Sequence, residues 1–236
     1  AIQDAFEDRV NIRGNQVSLR EAFERGLLEI DDYLPGIVTP SIALLTTDDC
    51  LIFAQRGRKG VDKDFAPGRF SPSCEEGWDP AKERDPHETV LRCLREEWNI
   101  DARHRVEVPG SSIRLVALGR EWGMFWNTVL IYVVELPCSS EKVLDCWESV
   151  PEDMAEAAAV GAVPAKTPEN QRVLLNVAKS RQVRPQYLAR ECGAKWRGNP
   201  RDNELHDSTG VARILFALAH RFGVESLANA IAPLEA

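Results

Sequence analysis

The chain has 236 residues and a formal net charge of -8. Such an acidic balance excludes a nonspecific binder of nucleic-acid polymer or anionic membrane, but a few local arginines and a metal suffice for a small phosphorylated ligand. No apolar run reaches the length of a membrane span and no secretory leader is visible. Six scattered cysteines, without C-x-x-C or a Cys/His cluster at zinc spacing, point to reduced thiols and a cytoplasmic location.

Residues 1–35 read as a helical lead-in. Ser18 and Glu21 form a capping box, and Leu19, Ala22, Phe23, Leu27 and Ile30 follow at helical spacing. Ile37 to Thr46 and Leu51 to Gln55 read as two strands around a Thr-Asp-Asp turn. A basic loop, Arg56-Gly57-Arg58-Lys59-Gly60, comes next. Arg56 and Arg58 are candidates for phosphate contact, because a guanidinium grips phosphate with two parallel donors. Gly68 to Cys74 reads as a further strand.

Gly77 to Ile100 is the most informative stretch. Asp85, Pro86 and Glu88 supply an N-cap, a proline at the first helical position and an acid one turn in. Val90, Leu91, Leu94 and Trp98 recur at helical spacing and predict a core-facing stripe. Arg92, Cys93, Glu96 and Glu97 fall mostly on the remaining surface. Glu96 and Glu97, adjacent near the end of a short capped helix, are candidate ligands for a hard divalent cation.

Ile113 to Leu118 and Trp126 to Leu136 read as strands, the second apolar enough to be buried on both faces. Trp122 and Phe125, between them, are candidates to stack on a substrate ring. Residues 137–168 are acidic and then alanine-rich, with Glu148, Glu152 and Asp153 as candidate additional acids. Helices are expected from Pro168, across Gln186 to Glu191, and from Ser208 to Gly223. Trp196 to Asn203 reads as a loop of turn formers. His206 and Arg213 are weighed between reaching the pocket and simple packing.

The Gly77–Ile100 stretch resembles the Nudix box, G-x5-E-x7-R-E-U-x-E-E-x-G-U, with U a bulky apolar residue. Gly77, Glu83, Arg92, Leu94, Glu96, Glu97 and Ile100 fit the frame when the segment between Glu83 and Arg92 is one residue longer. Cys93 stands where the pattern has glutamate, and Asn99 where it has glycine. Upstream, Pro72-Ser73-Cys74-Glu75-Glu76-Gly77 keeps one glycine of the usual Pro-x-Gly-Gly element.

The resemblance implies an α/β/α sandwich around a mixed sheet, with an N-terminal helix and additional C-terminal helices. The implied organisation is a lead-in over 1–35, a Nudix-like domain over 36–165 and a helical extension over 166–236. It implies a hydrolase of a phosphoanhydride in a nucleoside diphosphate derivative or related metabolite, with Mg²⁺ or Mn²⁺ and, as in many Nudix proteins, a homodimer. Glu96, Glu97, Glu83 and Glu76 are the implied metal ligands. Glu97 is the implied base, and Arg92 fixes Glu96 or Glu83. Two alternatives stay open: a catalytically degenerate module that binds or senses a nucleotide, and a pathway-specific tailoring phosphohydrolase. Nearby carboxylates disfavour Cys93 as a nucleophile, because they oppose thiolate formation.

Overall fold

The computed structural model describes residues 9–12, 15–18, 38–57, 68–121, 127–151, 156–205 and 208–231. Within the lead-in, β1 (Arg9–Ile12) and β2 (Asn15–Ser18) form an antiparallel hairpin that the helical reading did not foresee. Ser18 ends β2, and the expected helix after it lies outside the described residues.

The main sheet is mixed. Its order is β11 (Lys195–Gly198), β9 (Ala157–Pro164), β4 (Cys50–Arg56), β3 (Val38–Leu45), β8 (Asn127–Glu135) and β7 (Ile113–Glu121). β3 and β8 run parallel, and the other neighbours in this order are antiparallel. Side chains alternate between two cores. Ile42 and Leu44 of β3 face one side, and Ala43 and Leu45 the other. Both faces are covered, which is why these strands read as continuous apolar runs.

Two helices, α1 (Pro86–Trp98) and α2 (Ser140–Glu148), cover the first face. The second is covered by α3 (Pro168–Ser180), α4 (Pro185–Cys192), α5 (Ser208–Phe222) and α6 (Val224–Ile231). The architecture is therefore an α/β/α sandwich, with the C-terminal helices forming one of its layers. A minor ladder of β10 (Gln182–Val183) and β12 (Asn203–Glu204) joins the loops there. No helix among the described residues is long and apolar enough to cross a membrane.

One expectation changes: Trp196 lies in strand β11 rather than in a loop. The alanine-rich stretch, left without a secondary structure by the sequence, is strand β9, inside the sheet. Trp196 pairs with Gly161 across these strands, and a Cβ on Gly161 would come within 2.4 Å of its ring. The small residues of β9 thus make room for a bulky neighbour. Helix α2 is likewise an element the sequence did not single out; Ser139 caps it by accepting from the Lys142 N–H.

The sheet forks at its centre. β3 and β4 meet at Leu45–Leu51 and then separate. Into the gap runs the segment 70–75, as β5 (Phe70–Ser71) on β4 and β6 (Cys74–Glu75) on β3. Ser73 makes the crossing with φ of +79, an uncommon backbone state for a residue with a side chain. Its buried hydroxyl accepts from the Leu44 N–H (2.8 Å) and donates to the Ile52 carbonyl (3.0 Å), so one side chain satisfies both diverging strands.

Ser73→Ala strands both backbone groups, and urea unfolding is expected to show a loss of about 3 kcal/mol.

Candidate functional site

Helix α1 is fixed at both ends. Asp85 accepts from the His87 and Glu88 N–H groups, and Pro86 opens the first turn. Asn99 ends the helix in the left-handed conformation, as glycine would, and its side chain donates to Ser149 (3.0 Å).

Glu83 and Arg92 fasten the preceding loop to the helix. The buried Glu83 carboxylate accepts from Arg92 Nε (2.6 Å), Thr89 Oγ1 (2.6 Å) and the Asp79 N–H (3.2 Å). Burial pushes its pKa up, but the Arg92 and Thr89 hydrogen bonds outweigh this and hold it below the usual value. Arg92 also donates to the Gly77 carbonyl (3.0 Å) and approaches Glu76 (3.3 Å) and Glu96 (3.6 Å). Arg92 thus binds three of the acids singled out in the sequence. Glu76, Glu83, Arg92 and Glu96 line an open cleft of about 730 Å³.

Glu97 lines a different cavity. It shares a space of about 30 Å³ with Arg56, Ser73, Cys74, Glu75 and Glu156. Its Oε1 accepts from Cys93 Sγ at 3.4 Å. Burial and then the Glu156 charge, with a smaller push from Glu76, raise the Glu97 carboxyl to about 8; the Cys93 hydrogen bond and Arg56 oppose the shift. Burial likewise raises the Cys93 thiol well above its ordinary value, so it is no ready nucleophile.

Glu156 is the functional candidate that sequence reasoning missed. The Gly57 N–H donates to the Glu156 carbonyl (2.7 Å), beside a register shift at Gln55/Arg56. A Cβ on Gly57 would stand 2.7 Å from that carbonyl oxygen, so glycine permits the approach. The acidic run before β9 was the available signal. Pairing between β9 and β4 is what selects Glu156 from it.

Other candidates fall elsewhere. Glu148 pairs with Arg197 (3.2 Å) on the outer surface of α2. Arg213 is fully buried; it donates to the Cys74 carbonyl (2.9 Å) and to Glu75 Oε1 (2.9 Å). Glu75 also accepts from Ser41 (2.9 Å) and Thr209 (2.5 Å). Arg213 therefore braces β6 from the second layer. Arg58, Trp122, Phe125, Glu152, Asp153 and His206 lie outside the described residues.

Of the four expected magnesium ligands, Glu76, Glu83 and Glu96 gather around Arg92 in the open cleft, and Glu97 stands apart. Glu83 is saturated by donors, Glu76 and Glu96 lean on Arg92, and Glu97 sits in the separate cavity. Glu97 and Glu156 line one cavity, and the Glu156 charge opposes ionisation of Glu97. Among the described residues, the one trio of potential ligand atoms lying within 4.8 Å of one another is Cys74, Cys93 and Glu97.

A scan against protein-family models finds no match, and a comparison with curated proteins finds none either. Solved structures do resemble the chain at low identity. One is the Nudix domain of Shewanella oneidensis NrtR, complexed with ADP-ribose. It has a TM-score of 0.34 and 16% identity, over 51% of this chain and 72% of that one. Another is DR0079 from Deinococcus radiodurans, with a TM-score of 0.40 and 15% identity, over 73% of this chain and 88% of that one.

The Glu97 shift has a testable sign. Its folded pKa of about 8 lies above the ordinary glutamate value of 4.5, so between them the folded state holds a proton that the unfolded state has lost. Stability therefore falls as pH rises through that window and levels off above it. Glu97→Gln removes the effect: in chelator, its Tm relative to wild type is expected to rise by about 5 °C between about pH 5 and pH 9. A constant difference across that range would refute the assignment.

Proposed function

We propose that the chain is a metal-dependent, Nudix-type hydrolase that cleaves a phosphoanhydride in a nucleoside diphosphate derivative or a related phosphorylated metabolite. The supporting observation is that Glu97, Glu156 and Arg56 face one cavity at the end of the helix carrying the Nudix-like pattern. Glu97 and Glu156 are the residues that would hold Mg²⁺ or Mn²⁺. Such an ion, when bound, neutralises phosphate charge and acidifies a coordinated water.

The chain's own groups have distinct parts in this reading. Glu97, with its carboxyl near 8, is protonated at neutral pH and gives up that proton when a cation arrives, so cation binding tightens as pH rises. Arg56 offers its guanidinium to a phosphate at the cavity. Arg92 acts at one remove, by holding Glu83 and the loop against α1. The test is a mass-spectrometric panel of nucleoside triphosphates, sugar nucleotides and ADP-ribose, with Mg²⁺ or Mn²⁺. Turnover is expected, with a loss of at least about 100-fold in Glu97→Gln and in Glu156→Gln. Wild-type protein that turns over none of these compounds removes the reading.

One observation favours a second reading, a module that binds a nucleotide without cleaving it. Cys93 is a fully buried thiol at the position where the Nudix pattern has a glutamate. On that reading wild-type protein is inert, nucleotides still raise its Tm, and Cys93→Glu creates turnover. An inert Cys93→Glu that folds and binds nucleotide as well as wild type would count against a site lacking only that one carboxylate.

A further inference from the structure

We propose that Cys74, Cys93 and Glu97 form a site for a thiophilic divalent cation of the zinc class, with a fourth position open to the adjoining cavity. The two cysteines are nineteen residues apart and show no metal spacing in the sequence; β6 and α1 bring them together. Their sulfurs and a Glu97 oxygen all lie within 4.8 Å of one another, and Cys93 Sγ is 3.4 Å from Glu97 Oε1. Ligands around a tetrahedral zinc, with metal–sulfur bonds of about 2.3 Å, stand about 3.5–3.8 Å apart. The trio reaches that geometry with side-chain movements of about an ångström or less.

Three surrounding features suit an ion of this kind. The donor set is two sulfurs and one oxygen, which magnesium disfavours and zinc accepts. The cavity beside Cys74 and Glu97, at about 30 Å³, has room for one water to complete four ligands. Trp98 is 1% exposed, and its indole N–H has no hydrogen-bond partner. Burial is the largest influence on Cys74 and raises its thiol above the ordinary value, while the Trp98 N–H and the buried Arg213 charge act the other way and would support a metal-bound thiolate. Outer contacts of this type orient ligands and raise metal affinity.

Binding is balanced in protons. Each cysteine loses one to become thiolate, Glu97 loses its own if protonated, and all pass to the buffer. The site does not depend on hydrolysis. It does compete with the Glu97–Glu156 pair for the shared carboxylate.

The test is a spectroscopic titration of the reduced full chain with Cd²⁺ or Co²⁺, followed by Zn²⁺ competition. One equivalent is expected to saturate a thiolate-to-metal charge-transfer band that a large excess of Mg²⁺ does not reverse. Cys74→Ser and Cys93→Ser should each lose about half of it or more, while Cys138→Ser and Cys192→Ser keep it. Glu97→Gln, which retains both thiols, should weaken Zn²⁺ binding at least about tenfold and serves where a cysteine variant fails to fold. A wild-type chain with no band, a band unchanged in Cys93→Ser, or a Zn²⁺ affinity unchanged in Glu97→Gln overturns the site. Hydrolysis is assayed with Mg²⁺ on portions of the same preparation kept free of Cd²⁺, Co²⁺ and Zn²⁺. Turnover without the band rejects the site and keeps the hydrolase; the band without turnover does the reverse.

Discussion

The fork between β3 and β4 is the constraint on which the rest of the structure depends. Two antiparallel strands that separate expose backbone groups to the interior, and each must find a partner. The segment 70–75 supplies them as two short strands joined by Ser73, whose hydroxyl serves Leu44 and Ile52 at once. This wedge also sets the side chains after it. Successive residues of a strand face opposite ways, so Cys74 enters the core beneath α1 while Glu75 turns to α5. Both the thiol site and the buried Arg213–Glu75 pair thus follow from one local irregularity.

Charge is handled differently in the two cavities. In the open cleft, Arg92 faces three glutamates and its own charge is strongly stabilised. In the small cavity, burial and a second acid press on Glu97, and its carboxyl rises instead. The neighbours Glu96 and Glu97 therefore differ in kind: the first is a surface partner of arginines, the second an acid whose carboxyl is pushed up by burial and by Glu156.

Local signals carried much of the fold. The caps of α1, the apolar runs of β3 and β4, the long apolar β8 and the start of α5 were all legible in short windows. What escaped depends on partners distant in sequence. Ala157 to Pro164 lacks large apolar residues because Trp196 and the neighbouring strands fill the space, so its strand character is invisible alone. In the site, the helix pattern pointed to Glu97, and the basic loop pointed to Arg56. Glu156 and Cys74 were not legible as partners, because strand pairing and the wedge bring them there. Glu83 was read as a ligand; its role in holding the loop depends on Thr89 and Arg92 closing around it.

The brace between Arg213 and Glu75 has a consequence for the order in which the chain acquires its structure. The two residues stand 138 positions apart, and Arg213 is buried with its charge directed at β6. During synthesis, the wedge and α1 emerge long before α5. Until α5 arrives, Glu75 has only Ser41 among these three partners, and β6 is held from one side. A chain interrupted before residue 213 would carry α1 yet lack the Arg213 brace on β6.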